Sequence, residues 1–153
     1  NVTGVEDTST SQAAVLFVEM PSGFNDISMV GGTKYRNAPT GQHFYVGTQT
    51  STYRNSIAPG SFGTFAIAAD FDTKAFGYYG TSGNLEVSGG GVLDTANGRF
   101  ATSNLTVTAG SSTYGGTMHG MLHGSGATAT SGVFHTSGYS PLYTGAFVGG
   151  MDN

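Results

Sequence analysis

The sequence contains no cysteine, so the chain forms no disulfide and presents no thiolate as a nucleophile or zinc ligand. Charged residues account for only 9% of the chain, against about a quarter in an average soluble domain. The 5 Lys and Arg residues are scattered between Lys34 and Arg99, too few to neutralise a run of nucleic-acid phosphates. No apolar run approaches the roughly 20 residues that a membrane-spanning helix needs. We therefore expect neither nucleic-acid binding nor a membrane span.

The chain also lacks any long segment with the apolar spacing of an amphipathic helix that is free of glycine and β-branched residues. Glycine is abundant, with 26 residues among 153, and hydrophobic residues make up 37% of the chain. This apolar content is enough for a packed core, which disordered chains lack. The length fits one ordinary globular domain.

Short runs of alternating apolar and polar residues, separated by turn residues, predict an antiparallel all-β fold. In the clearest run, Phe65, Ile67 and Ala69 share one face, because side chains alternate along a strand. Asn97-Gly98 is predicted to supply the positive φ angles of a tight hairpin. The predicted strands are Ala13–Met20, Thr33–Arg36, His43–Thr50, Phe62–Phe71, Ala75–Gly80, Leu85–Leu93, Phe100–Thr108, Tyr114–His123, Gly132–Thr136 and Tyr143–Val148.

So many neighbouring strands have to close or fold over to hide their edges. Glycines inside the predicted strands indicate bends, bulges or close backbone approach, as the corners of a barrel require. We predict a single antiparallel β-barrel of about eight strands, with a β-sandwich as the alternative. Residues 1–12 are polar and are expected to be a flexible lead-in, and 13–153 are expected to be the barrel domain.

Several turn and glycine motifs follow one another in a characteristic order. They are Gly32-Thr33-Lys34-Tyr35, Asp70-Phe71 at the end of an apolar strand, Gly98-Arg99-Phe100 after Leu85–Gly91, and Gly120–Ala127 before Gly132-Val133-Phe134. In order and spacing these motifs resemble the β-barrel domain of transferrin-binding protein B and related Gram-negative surface lipoproteins. One departure is His123, which stands where that family usually has an aromatic residue.

The resemblance implies an eight-stranded barrel at the bacterial cell surface or outer membrane, or released outside the cell. It also implies capture of host iron or heme sources, either by contact with a protein partner or by direct ligation of heme. The best-known members pair each barrel with a handle domain, and the length of this chain is expected to leave room for a barrel only.

The segment Thr117–Gly124 contains the densest set of candidate ligands. On a strand, His119, Met121 and His123 share one face, and such donors suggest heme or copper. The family resemblance favours heme, which is the candidate cofactor, with His119 and His123 as the candidate metal ligands. The alternative is that the histidines are ordinary outward or hydrogen-bonded residues and that the methionines fill the barrel.

Strand geometry restricts how these residues would bind a metal. His119 and His123 are about 13 Å apart along a strand, so they do not both reach one metal ion. His119 and Met121, about 6.7 Å apart, would be able to converge. One histidine would also be able to ligate heme from one side, with His43, His135 or a tyrosine as its partner.

Aromatic residues near the predicted strand ends and loops are further candidates for ligand binding. Tyrosine is common in binding surfaces because it buries a large area at low entropic cost. The alternative is that these rings plug the ends of the barrel and hydrogen-bond outward. Tyr78 and Tyr79 are predicted to point to opposite faces of their strand. The aromatic candidates are Phe44, Tyr45, Tyr53, Tyr78, Tyr79, Tyr139 and Tyr143. The predicted ligand-binding residues are three of these, Tyr78, Tyr79 and Tyr139, together with His119, Met121 and His123.

Catalysis is not indicated by any motif. No G-x-S-x-G elbow follows a strand and opens a helix, and Gly89-Gly90-Gly91 precedes no helix that would hold a phosphate. We predict a non-enzymatic binding module whose partner is a protein or heme. The alternative is a self-associating structural subunit of the cell surface, such as a surface layer, a filament or a porin partner.

Overall fold

The computed structural model describes residues 2–7, 13–18, 29–32, 35–53, 60–137 and 142–152, and its regular structure in these ranges is entirely β. The strands are β1 (Val2–Asp7), β2 (Ala13–Val18), β3 (Met29–Gly32), β4 (Gln42–Tyr53), β5 (Ser61–Asp70), β6 (Ala75–Ser82), β7 (Leu85–Asp94), β8 (Arg99–Ala109), β9 (Ser112–His123), β10 (Ala129–Thr136) and β11 (Tyr143–Asp152). Within the described residues, no helix is long and apolar enough to cross a membrane.

Strands β4 to β11 form one closed antiparallel barrel. Each strand pairs with the next along the chain, and β11 closes the barrel by pairing with β4. Closure leaves none of these eight strands with a free edge, which removes the usual risk of edge-to-edge aggregation. The prediction of an all-β fold built on an antiparallel barrel of about eight strands is confirmed.

The first three strands form a separate antiparallel sheet in the order β1-β2-β3. The predicted strand Ala13–Met20 therefore belongs to this sheet, as Ala13–Val18, and not to the barrel wall. Val2–Asp7, within the expected lead-in, pairs with it over its whole length, because pairing with an apolar neighbour stabilises a segment with a weak strand signal of its own. The expectation that the chain has room for a barrel only is wrong.

The closed barrel itself begins at Gln42, and the division of the chain at residue 12 stays a prediction. The strand predicted at Thr33–Arg36 is also shifted: β3 ends at Gly32, and residues 33–34 lie outside the described residues. Tyr35 and Arg36 lie outside any strand. The side chain of Asn37 accepts a hydrogen bond from the backbone N–H of Gly126. This bond holds the segment that precedes β4 against the barrel.

Aromatic side chains fill the barrel interior. The rings of Phe65 and Tyr78 stack with their centroids 5.5 Å apart. The ring of Phe147 lies 5.1 Å from that of Phe65 and 5.0 Å from that of Tyr78. Phe65, Ile67 and Ala69 are buried on one face of β5, as predicted. An eight-stranded barrel is just wide enough for its side chains to fill it, and these rings occupy its middle.

One extra residue in β8 changes which side chains face inward. Between Thr102 and Leu105, β8 has one more residue than β9 has between the paired positions Met118 and Gly116. Such a β-bulge resets the alternation, so Thr102 and Leu105 are both buried although they are three residues apart. The bulged stretch of β8 contains no glycine itself but lies opposite Gly89–Gly91 of β7, glycines at which a bend or bulge was predicted.

The hairpin between β7 and β8 is fixed by a carboxylate. Asp94 accepts hydrogen bonds from the backbone N–H groups of Ala96 and Asn97, at 3.1 and 3.2 Å, and from the side-chain amide of Asn97 at 2.9 Å. A positive φ of 69° occurs at Gly98 but not at Asn97. The predicted turn with two positive φ angles is therefore wrong, because the Asp94 side chain organises a longer turn at 95–98.

We expect the stability of the protein to depend on pH through Asp94. Hydrogen bonds from the side chain and then the backbone of Asn97 lower the pKa of this carboxyl. Its stabilising effect is therefore present above the unfolded-state pKa of about 3.9 and is lost as the pH falls through the lower folded-state value. Asp94→Ala should lower Tm near neutral pH and flatten its decline on acidification. Parallel Tm curves for the variant and the wild type would contradict this.

Candidate functional site

The outer wall of the barrel differs in character from one side to another. Along β10 and β11, the side chains that point away from the barrel axis are nevertheless buried, among them Ser131, Ala146 and Val148. The three-stranded sheet explains this burial, because β1 and β2 lie against these strands. This side of the barrel is therefore already covered.

The outer wall formed by β8 and β9 faces solvent and is polar. Its exposed side chains include Ser103, Asn104, Thr106, Thr113 and His119. Small hydroxyl and amide groups are what a solvated sheet face ordinarily presents. This polar wall is therefore the comparison for the other outer faces of the barrel.

The outer wall formed by β4 to β7 is different, because large apolar side chains are exposed there. Val92 is 70% exposed, Phe44 53%, Tyr79 51% and Val46 43%. Between them lie only small residues. We call this surface the outer apolar face and define it by Phe44, Val46, Ala66, Ala68, Ala75, Gly77, Tyr79 and Val92. Because large contiguous apolar patches are uncommon on protein surfaces that face water, we take this face as the candidate interaction surface.

Strand register makes the outer apolar face a trough. Phe44 lies opposite Ala68, and Ala68 lies opposite Gly77, so the large ring stands beside a floor of small residues. A shallow open cleft of about 280 Å³ lies here, lined by Phe44, Ala68, Ala75 and Gly77 and, at its end, by Asp70. The trough from β4 to β7 spans three strand spacings, about 14 Å. That width admits one segment of a partner.

Carboxylates border the trough. Backbone N–H groups of Thr73 and Asp72 and the side-chain amide of Gln42 donate to Asp70, and these bonds lower the pKa of the Asp70 carboxyl. The hydroxyl of Tyr79 donates to the Glu86 carboxylate at 3.1 Å, and this bond raises the pKa of Tyr79. None of these hydrogen bonds brings a positive charge to either carboxylate.

Tyr78 and Tyr79 point to opposite faces of β6, as predicted. Tyr78 is buried inside the barrel, where its hydroxyl donates to the side-chain carbonyl of Gln49 at 2.5 Å. The amide nitrogen of Gln49 donates in turn to Ser82 at 2.8 Å, and among the described residues no buried side-chain nitrogen or oxygen lacks a hydrogen-bond partner. Burial raises the pKa of Tyr78 well above its usual value. Of these two tyrosines, only Tyr79 is accessible to a partner.

The three candidate ligands on β9 point outward but differ in exposure. His119 is exposed, Met121 is partly buried, and His123 is only 3% exposed. Nε2 of His123 lies 2.6 Å from the Ser131 hydroxyl, so this nitrogen is already hydrogen-bonded. Among the described residues, no group of three or more His, Cys, Asp or Glu side chains is placed to hold a metal ion.

The predicted ligand-binding residues do not form a single cluster. Tyr79 lies on β6 and His119 on β9, and two strands separate them in the barrel wall. Tyr139 lies outside the described residues. The assignment of heme to His119 and His123 stays a prediction.

A second aromatic group lies at the end of the barrel where β4 ends and β11 begins. The ring of Tyr143 lies 5.3 Å from that of Tyr53 and 6.0 Å from that of Tyr114. Burial, together with the neighbouring phenol groups of Tyr114 and Tyr53, raises the pKa of Tyr143. These rings pack chiefly on one another and partly plug this end, with Tyr53 still 50% exposed.

Sequence reasoning missed the outer apolar face as a surface, although it named Phe44 and Tyr79. One signal for it is present in β4, where Phe44, Tyr45 and Val46 are consecutive apolar residues. Adjacent strand residues point to opposite faces, so three in a row require apolar side chains both inside and outside the barrel.

The closed eight-stranded meander with its small additional sheet is similar in fold to the lobes of transferrin-binding protein B. The chain matches transferrin-binding protein B from Actinobacillus pleuropneumoniae, a point mutant, with a TM-score of 0.63 and 14% identity over 99% of this chain and 80% of that one. It matches the isotype 1 protein from Neisseria meningitidis with a TM-score of 0.63 and 14% identity, over 98% of this chain and 35% of that one.

The N-lobe of lactoferrin-binding protein B from Moraxella bovis gives a TM-score of 0.58 and 15% identity, over 99% of this chain and 80% of that one. No protein-family model matches the sequence, and no curated protein matches it. The fold predicted from the motif order is therefore confirmed by structure, at a level of identity that establishes the fold alone.

Proposed function

We propose that this chain is a non-enzymatic binding module at the surface of a Gram-negative bacterium that contacts an iron-carrying protein through the outer apolar face. The observation that carries the proposal is the likeness of nearly the whole chain to lobes of proteins named for binding transferrin and lactoferrin. The surface location follows the same comparison, which includes a structure described as a surface lipoprotein.

Packing of the interior supports a protein partner rather than an enclosed small molecule. Phe65, Tyr78 and Phe147 occupy the middle of the barrel, and ring contacts between Phe76 and Phe100 at 4.8 Å fill it further. A barrel that binds a ligand inside needs an open cavity, as in lipocalins. Binding by this barrel therefore takes place on its outside, where the uncovered apolar wall is available.

A binding comparison with three probes tests this function. The wild-type chain would be immobilised and exposed in turn to iron-loaded transferrin, iron-loaded lactoferrin and hemin, with His119→Ala as a matched variant. We expect saturable binding of one of the two proteins, unchanged in His119→Ala because that residue lies on the opposite, polar wall. The proposal fails if neither protein binds at concentrations up to about 100 µM, an affinity below that of most specific protein pairs.

Heme is the second candidate ligand, favoured by the exposure of His119. A single axial histidine would shift the Soret band of hemin on binding. A saturable shift that disappears in His119→Ala would assign heme binding to β9 and replace the protein partner as the main function. The alternative of a self-associating structural subunit predicts concentration-dependent assembly in sedimentation without any added ligand.

A further inference from the structure

The charge distribution around the outer apolar face has one sign along most of its border. No Lys or Arg occurs in β4, β5, β6 or β7. Asp70 and Glu86 lie on the same face as the exposed apolar residues, and Asp152 on β11 pairs with Phe44 across the strand boundary. A partner that covers the face brings its own groups next to these three carboxylates.

Among the residues that the structure describes, the positive charges next to the face lie at one corner. Lys74 lies in the turn between β5 and β6, and Arg99 pairs with Asp94 at the end of β7. The pKa of Asp94 is lowered by hydrogen bonds from Asn97 and Ala96 and, least of all, by the charge of Lys74, which therefore acts at this corner. The border next to Phe44, Val46 and Tyr79 keeps its negative charge.

A second copy of this chain is a poor occupant of the face. The chain carries a formal net charge of −4, and a symmetric contact would place the same carboxylates opposite one another. Like charges brought together in a partly dehydrated contact cost free energy, while opposite charges favour association and accelerate it. The occupant therefore has to be basic where it meets the border and apolar where it meets the trough.

We propose that the outer apolar face docks a segment of a protein partner in which apolar side chains, seated over Ala68 and Gly77, are flanked by Lys or Arg side chains that meet Asp70, Glu86 and Asp152. Carboxylates on β7 and β11 are four strand spacings apart, about 19 Å. A segment carrying cations on both sides of an apolar centre spans that distance. The inference rests on the proposed binding function for its biological partner, but the docking chemistry has a test of its own.

The test uses two short synthetic peptides, one of alternating Leu and Lys and one of alternating Leu and Glu. Each is titrated into the ¹⁵N-labelled full chain at low salt while backbone amide shifts are recorded. We expect the Leu/Lys peptide to shift amides of β4 to β7 and the Leu/Glu peptide to leave them unchanged. Binding should weaken when salt is raised to about 0.5 M, since screening is strong there.

Two variants and one control locate the effect. Val92→Ser should weaken Leu/Lys binding about fivefold or more by removing apolar contact, and Glu86→Gln should weaken it about threefold and reduce its salt dependence. Thr106→Ala, on the polar wall of β8, should leave the affinity within about twofold. Unchanged amide spectra outside the substituted strand would show that each variant is folded.

Four results overturn the inference. The first is a set of amide shifts confined to β8 and β9 or to the tyrosines at the barrel end. The second and third are equal binding of both peptides and no binding by either peptide. The fourth is a set of shifts on β4 to β7 that appears with protein concentration alone, which would assign the face to a second copy. Failure of transferrin and lactoferrin to bind, with the peptide shifts as expected, would remove the iron carrier and leave the docking chemistry in place. Binding of transferrin or lactoferrin without the expected peptide shifts would overturn the docking chemistry alone.

Discussion

Replacing Phe147 by alanine is expected to lower the free energy of unfolding by about 3–5 kcal/mol. The Phe147 ring is fully buried and lies against three other rings, with centroids 5.1 Å from Phe65, 5.0 Å from Tyr78 and 6.3 Å from Phe100. Removing it costs the burial of the ring and leaves a cavity that the rigid, closed wall fills poorly. Urea unfolding followed by circular dichroism measures the change.

Phe62→Ala provides the matched control, because the Phe62 side chain is 60% exposed on β5. This change should stay within about 1 kcal/mol. A loss of less than about 1 kcal/mol for Phe147→Ala would contradict the filled interior. Such a small loss would also mean that the barrel interior has room for a small ligand.

Gly149→Val is expected to destabilise the protein by about 3 kcal/mol or more, enough to prevent folding of a marginally stable domain. Gly149 on β11 pairs with Gly47 on β4, where the barrel closes. A Cβ atom at Gly149 would lie 2.1 Å from the carbonyl oxygen of Val46, and one at Gly47 would lie 2.2 Å from that of Val148. Both obstacles are backbone atoms, so neither side of the closing pair has a flexible group that could move aside.

Gly77→Ala separates this close approach from the general properties of glycine in strands. Gly77 lies in the middle of β6, and a Cβ atom there would meet nothing within 4 Å. Alanine costs less conformational entropy than glycine, so this variant should be neutral or more stable by up to about 1 kcal/mol. Similar losses for Gly149→Val and Gly77→Ala in thermal unfolding would contradict a steric requirement at the seam.

The strands of the barrel could be predicted because most of them alternate strictly. Leu85, Val87 and Leu93 face inward along β7, and Phe65, Ile67 and Ala69 do so along β5. Turn residues between the predicted strands indicate that consecutive strands form hairpins, and an unbroken series of hairpins favours a closed meander. The approximate number of strands and their antiparallel order follow from this pattern, whereas the choice of a barrel over a sandwich does not.

The parts that could not be predicted depend on long-range contacts. Pairing between β4 and β11 joins residues about a hundred positions apart, and no local pattern specifies it. His123 points outward from β9 and yet is buried, with its Nε2 hydrogen-bonded to the Ser131 hydroxyl on β10. Alternation assigns a side chain to a face, but it does not say whether that face is solvated.

The candidate site was only partly predictable for the same reason. Tyr78 and Tyr79 have similar sequence surroundings, and the structure alone shows that the first is held by Gln49 inside the barrel and the second lies on the outer apolar face. Val92 gave no signal by itself, because a single valine in a strand is ordinary. Its importance comes from its neighbours on β4, β5 and β6, which become neighbours only when the barrel forms.

The central claim is that the chain binds an iron-carrying protein through the outer apolar face. The most direct test compares the binding of iron-loaded transferrin and lactoferrin to the wild-type chain and to Val92→Asp, with Thr106→Asp on the polar wall as the control. We predict saturable binding of one of the two proteins, weakened about tenfold or more by Val92→Asp and little changed by Thr106→Asp. Absence of binding, or equal binding by all three chains, would contradict the account.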